Sequence, residues 1–179
     1  MYTSERLWKQ WFIRWRPDGN VSTNPYIITS NQSSFDKAWI QSAFASEDLY
    51  RDRPLSEADI DIALENSYTF ALFLKDAAPG SPDHSVHTQI GMARIVTDYV
   101  TFAYLTDAFV ERDYEGMELE NWLIQCCDEI LKEIPTLRCA ILWARGSRSI
   151  VQSYEGEMGM TILERGDNGL FVMQRNLSQ

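Results

Sequence analysis

The sequence is poor in cysteine, and its three, Cys126, Cys127 and Cys139, are odd in number, form no CxxC and include two neighbours within a helical pattern. That spacing argues against a disulfide framework or a zinc site and points to a reducing compartment with inert, partly buried thiols. Basic residues are also scarce: 16 Lys and Arg against 26 Asp and Glu leave a formal charge of −10. Such a field repels nucleic acid, acidic membranes and polyanionic ligands unless a local basic patch opposes it. The two basic groups (Arg6, Lys9, Arg14 and Arg16; Arg145 to Arg148) are too short to form a binding stripe and read as solvated surface. No apolar run approaches the ~20 residues of a membrane span. Met1-Tyr2-Thr3-Ser4-Glu5-Arg6 has no apolar core behind a basic start, so no secretion signal is expected. There is no G-x-S-x-G, Walker loop, internal repeat or low-complexity tract. The expectation is a cytoplasmic protein with a small-molecule substrate and neither nucleic acid nor membrane as partner; the oligomeric state is not legible.

What the chain does have is apolar and aromatic material for one core. Six Trp, eight Tyr and eight Phe are generous for 179 residues, a length that suits one domain. Residues 1–25 form an N-terminal extension: Ser4 to Arg16 fits a Trp-studded helix or a strand, and Pro17-Asp18-Gly19-Asn20 is a turn. Tyr26 to Thr29 reads as a strand. Ser33-Ser34 caps a helix over Phe35 to Ala45, and Ser56-Glu57-Ala58-Asp59 is a capping box opening a second helix to about Asn66. Strands follow at Tyr68–Leu74, Thr88–Thr97 and Thr101–Val110. The first two are separated by a Pro/Gly loop over 76–86, the last two by a turn at Asp98-Tyr99.

In the last of these strands strict alternation puts residues 100, 102, 104, 106, 108 and 110 on one face and 101, 103, 105, 107 and 109 on the other. Leu119, Trp122, Leu123, Cys126, Cys127, Ile130 and Leu131 form the apolar stripe of a helix over Glu115–Glu133, stopped by Pro135. Cys139 to Ala144 is a continuous apolar run, as for a strand buried on both faces. A short helix over Ser149–Gly156 and a hairpin, Met160–Arg165 and Leu170–Gln174 around Gly166-Asp167-Asn168-Gly169, complete the chain. The order predicts an α/β (α+β) fold: a mixed, mostly antiparallel sheet of six or seven strands with helices on both faces.

That order, with the stretch Gly91 to Gly116 and the segment Ser153-Tyr154-Glu155-Gly156-Glu157-Met158-Gly159-Met160, resembles the GNAT (Gcn5-related N-acetyltransferase) superfamily. The likeness runs from Phe35 to Met173, most nearly to the small single-domain members common in fungi. It implies a single GNAT-like domain over 1–179. It also implies that a bulged strand at Phe109 and Val110 receives a pantetheine arm, and that the following turn, [Q/R]-x-x-G-x-[G/A], holds the acyl-CoA pyrophosphate on backbone N–H groups at a helix start. Here that turn reads Glu115-Gly116-Met117-Glu118-Leu119-Glu120, with carboxylates in place of the basic or amide residue and the two small ones. Glu111 and Asp113 stand just upstream. Like charges a few ångströms apart cost on the order of 1 kcal/mol each even in high dielectric. On this argument acetyl-CoA is disfavoured and no cofactor is expected. Acidic residues in a helix's first turn are equally common simply as partners of its dipole.

Tyr154 matches the tyrosine that protonates the departing CoA thiolate in many relatives, or packs as a helix tyrosine against the sheet. Asp107 is a candidate base on a central strand or a satisfied structural carboxylate. Trp39, Tyr50 and Tyr68 line the acceptor cleft or fill the core. The H-x-x-H of His84 and His87 lies in a Pro/Gly loop and reads as solvated, so no metal site is expected. Three functions remain open: a GNAT-fold enzyme diverted from acetyl-CoA to a small organic molecule, an N-acyltransferase using acetyl-CoA or another acyl-CoA despite the altered loop, or a non-catalytic binding domain.

Overall fold

In the computed structural model the described residues are 10–12, 25–45, 55–75, 87–145 and 148–177. They build one sheet of eight strands: β1 (Gln10–Phe12), β2 (Tyr26–Thr29), β3 (Tyr68–Lys75), β4 (His87–Thr97), β5 (Phe102–Val110), β6 (Cys139–Arg145), β7 (Thr161–Arg165) and β8 (Leu170–Asn176). Their order is β1-β2-β3-β4-β5-β6-β8-β7, and only β5 and β6 run parallel. The strand beyond the expected seven is β1, three residues paired to β2 within the segment whose pattern fitted helix or strand. The Pro17–Asn20 turn, the 76–86 loop, His84, Tyr50 and the N-terminal basic residues lie outside the described residues.

Helices α1 (Lys37–Phe44) and α2 (Glu57–Glu65) cover one face, where Ile40, Phe44, Ile60 and Leu64 pack on Ile27, Ala71, Phe73 and Met92. Helices α3 (Leu119–Lys132) and α4 (Arg148–Met158) cover the other, around Leu123, Ile124, Cys127, Ile130, Val151 and Met158. Ser56 and Asp59 form the expected capping box of α2. α1 instead begins at Asp36, whose carboxylate accepts from the Trp39 backbone N–H at 2.9 Å; Ser33 and Ser34 belong to a separate 3-10 turn. A carboxylate reaching the third helical N–H serves that end better than two serines already used in a turn. At the turn between β4 and β5, Asp98 accepts from the backbone N–H groups of Val100, Thr101 and Phe102 and from the Thr101 hydroxyl, which holds its carboxyl well below the usual range.

Three further sequence expectations change. β6 is not buried on both faces: Ala140, Leu142 and Ala144 are buried but Trp143 is 63% exposed. α1 and α2 sit over β2, β3 and β4, so among the described residues no helix covers that side of β6. α3 starts at Leu119 rather than Glu115, because Gly116 and Glu118 both adopt left-handed backbone (φ +77° and +59°), which no right-handed helix accommodates.

Third, alternation along β5 is broken. Thr106 pairs with Arg94 and Phe109 with Met92, so Asp107 and Ala108 together stand opposite Ala93 in a β-bulge. Asp107 takes φ +54° there. Beyond it the faces exchange: Ala108 and Val110 pack towards the α3 core, while Phe109 turns to α1 and meets Trp39 with ring centroids 5.9 Å apart. The bulge lies two residues earlier than the Phe109–Val110 position the family resemblance implied.

β4 and β5 approach closely past the bulge because residue 91 is glycine: a Cβ there would lie 2.8 Å from the Phe109 carbonyl oxygen. Gly91→Ala is expected to destabilise the fold by about 1–3 kcal/mol, as other forced overpacking does, read as a lower denaturant midpoint. An unchanged midpoint would show that the strands can part there freely.

Candidate functional site

Pairing of β5 with β6 is confined to Phe102–Leu105 against Cys139–Leu142. Past Leu105, β5 has no strand partner on its β6 side among the described residues, and the two strands diverge into a cleft of about 1110 Å³. Its walls are the far ends of β5 and β6, the turn 112–118, the first turn of α3, and Ile150, Ser153 and Tyr154 of α4. The turn is held down by Tyr114, whose ring meets Tyr26 edge-on at 6.4 Å, and by the Tyr26 hydroxyl donating to Met117 Sδ at 3.3 Å.

Asp107, Phe109, Val110, Glu115, Gly116, Glu118, Glu120 and Tyr154 all line this cleft. Trp39 does not: it stands on the α1 side of Phe109 and donates its indole N–H to Glu111 Oε1 at 2.5 Å. Tyr68 lies in the α3-side core against Phe70, donating to Ser30 Oγ at 3.2 Å, and burial pushes its phenol up to about 12. Tyr68 is therefore a core residue rather than a cleft residue. Its place on β3, two strands from the cleft, decides this, and residue type carried no sign of it. Tyr50 lies outside the described residues. His87 begins β4 and packs near Phe73.

Asp107 is buried and ion-paired. Arg94, directly across the bulge on β4, reaches its Oδ2 with Nε at 2.8 Å and Nη2 at 2.7 Å, and Thr106 Oγ1 lies 3.3 Å from Oδ1. A carboxylate so engaged anchors the left-handed bulge and is poorly placed to take up a proton from a substrate. Aspartate tolerates this backbone better than most residues other than glycine. Sequence reasoning missed Arg94, since nothing in a strand pattern says which residue faces a bulge. It also missed Trp143 at the cleft wall, although a lone Trp at the fifth position of an apolar run was the available signal.

The three loop glutamates behave differently. Glu118 is the residue before α3 and occupies left-handed backbone that costs a non-glycine residue about 1 kcal/mol; its carboxylate turns to the Asn121 side-chain amide and caps no backbone N–H. Glu115 is exposed. Glu120 is half-buried, and burial first, then the nearby Glu115, raises its pKa. Tyr154 is only 6% exposed; burial, with Glu120 and Cys127 nearby, raises its pKa, so the phenol stays neutral at any physiological pH.

No protein-family model matches the chain. A Gibberella zeae protein named "Putative acetyltransferase FG08082" is 25% identical to it over 130 residues, covering 69% of this chain and 73% of that protein. Among solved structures, an acetyltransferase of the GNAT family from Streptococcus pneumoniae aligns with a TM-score of 0.61 at 16% identity, over 85% of this chain and 99% of that one. The ribosomal-protein-S18-alanine N-acetyltransferase of Escherichia coli aligns with a TM-score of 0.55 at 18% identity, over 86% and 95%. The architecture is the GNAT fold. In sequence, the chain is similar to a protein named as an acetyltransferase.

The fold family implies acyl-CoA, and the two halves of the cleft answer that differently. The backbone fits: β5 is open past its bulge, and Glu118 keeps the left-handed conformation a glycine would adopt at the start of α3. The side chains there are acidic, which suits a polyanionic ligand poorly. Glu115, Glu118 and Glu120 bring three carboxylates to the start of α3, and burial, with Glu115 nearby, raises the pKa of Glu120.

Two stability measurements check this description. Asp107→Ala removes the carboxylate that pairs with Arg94, a cation with 13% side-chain exposure; the expected loss is about 3 kcal/mol. For Glu120 the folded pKa is raised, so its contribution is most favourable at low pH and is lost as pH rises through the folded value. Glu120→Gln is therefore expected to raise the unfolding midpoint at neutral pH and to do little at pH values where the carboxyl is protonated. The opposite pH trend would show a stabilised carboxylate.

Proposed function

We propose that this protein is a GNAT-fold enzyme that acts on a small organic molecule in the β5–β6 cleft and does not depend on acetyl-CoA. The observation that carries the proposal is the set of carboxylates Glu115, Glu118 and Glu120 at the first turn of α3, where a GNAT acetyltransferase would need phosphate-binding groups. In the same cleft the neutral phenol of Tyr154 is a proton or hydrogen-bond donor within reach of a bound molecule. Phe109, Val110 and the α3 start shape the space, and Asp107 with Arg94 holds the bulge that keeps it open.

A second reading, an N-acyltransferase using acetyl-CoA or a longer acyl-CoA, is favoured by the left-handed backbone at Glu118 and by the open edge of β5. The similar Gibberella zeae protein, named as an acetyltransferase, points the same way. The two readings part on one titration. Calorimetry with CoA, acetyl-CoA and a long acyl-CoA, at low and moderate salt, is expected to show no binding to the wild-type protein. The triple variant Glu115→Arg, Glu118→Gly, Glu120→Gly is expected to gain it. Micromolar binding by the wild-type protein would establish the acyltransferase reading instead.

A further inference from the structure

We propose that Met117 is a site of reversible oxidation by peroxides, and that its sulfoxide ties the turn 112–118 more firmly to β2 through the hydroxyl of Tyr26.

The chain has six methionines, of which Met1 lies outside the described residues. Met92, Met158, Met160 and Met173 are core residues with exposures of 2% or less, whereas Met117 is 39% exposed. Among the described residues Met117 therefore carries the one thioether that a dissolved oxidant reaches without a local opening of the fold.

Exposure alone would make such a reaction incidental; the surroundings of Met117 give it a structural consequence. Gly116 and Glu118, its neighbours in the chain, both take left-handed backbone and both line the cleft. The Met117 side chain reaches Tyr26 instead, whose hydroxyl donates to Sδ at 3.3 Å and whose ring meets Tyr114 edge-on at 6.4 Å. Tyr26 is itself fixed in the sheet, paired with Leu74 of β3. Two contacts on one tyrosine thus hold this wall of the cleft to β2. A thioether sulfur is a weak acceptor. Oxidation places a polar oxygen on the atom that the Tyr26 hydroxyl already addresses, turning a weak hydrogen bond into a full one. At a surface contact the added oxygen enters no packed core, where the same change is disruptive.

The step is a two-electron transfer. The sulfur lone pair attacks one oxygen of hydrogen peroxide and the O–O bond breaks. The proton on the transferred oxygen passes to the departing hydroxide, which leaves as water. Sulfur is oxidised to the sulfoxide and the peroxide is reduced.

The test treats the protein with hydrogen peroxide and reads each methionine by peptide mass spectrometry. Hydrogen–deuterium exchange follows the amides of Tyr114, Glu115 and Met117, which bond to carbonyls within the turn. Met117 is expected to gain one oxygen several-fold faster than Met92, Met158, Met160 and Met173. Exchange in the turn is expected to slow about three- to tenfold, the range of one net hydrogen bond. The two methionine sulfoxide reductases, one for each epimer, are expected to restore both mass and exchange. Tyr26→Phe keeps the ring and loses the hydroxyl, so oxidation of Met117 is expected to persist while the slowing disappears. Met117→Leu is expected to show neither. Oxidation of the four buried methionines at the rate of Met117 would overturn the proposal. So would unchanged or faster exchange in the oxidised turn, equal slowing in Tyr26→Phe, or failure of the reductases to reverse the change.

Discussion

Asp107 sits in left-handed backbone on β5, clamped by Arg94 from the neighbouring strand, and the geometry of the cleft follows from that pair. The extra residue at the bulge exchanges the faces of β5, sending Phe109 to α1 and Val110 to the α3 side. Pairing with β6 ends at Leu105, two residues earlier, and the parallel strands separate from there. Gly91 lets β4 follow β5 past the distortion. A parallel pair that ran on in register would have filled this space with backbone hydrogen bonds and left no room for a ligand.

Around that opening the rest of the molecule is a support. α3 packs Leu123, Cys127, Ile130 and Leu131 into the sheet, which fixes its first turn at the cleft mouth. Its far half is locked by Asp128, buried and bonded to Arg175 of β8 and Lys132, while Arg175 also donates to the Met158 carbonyl at the end of α4. Tyr154 is thereby presented from a helix tied to both α3 and the sheet. A phenol held on a rigid element keeps its position whether or not a ligand is present, the condition for using it as a placed donor.

In the loop before α3 the backbone and the side chains answer to different constraints. Gly116 and Glu118 are both left-handed, although glutamate is poorly suited to that conformation. The turn that carries Glu118 is pinned by Tyr114 on Tyr26. The carboxylates themselves do not cap α3: Glu118 turns aside to Asn121, and Glu120 lies inward beside Tyr154. Helix-dipole stabilisation alone would have left these side chains in solvent. Burying one of them beside a phenol is a different arrangement, with its own cost in desolvation.

How much was legible in the sequence depended on the range of the interaction involved. β2, the capping box at Ser56, the turn at Asp98, the stripe of α3 and the terminal hairpin were written in local periodicity and turn chemistry, and together they were enough to define a mixed sheet with helices on both faces. The run of carboxylates before α3 was likewise legible, being a matter of residue identity. The tertiary structure alone decided that Asp107 belongs to Arg94, that Tyr68 is core and not cleft, and that Trp143 faces outward. It also decided that Glu120 and Tyr154, 34 positions apart in sequence, stand in one electrostatic neighbourhood. Those facts depend on strand order and on a single inserted residue at a bulge. Periodicity describes a strand's own two faces; it carries no information about which neighbour lies across it or where its alternation is broken.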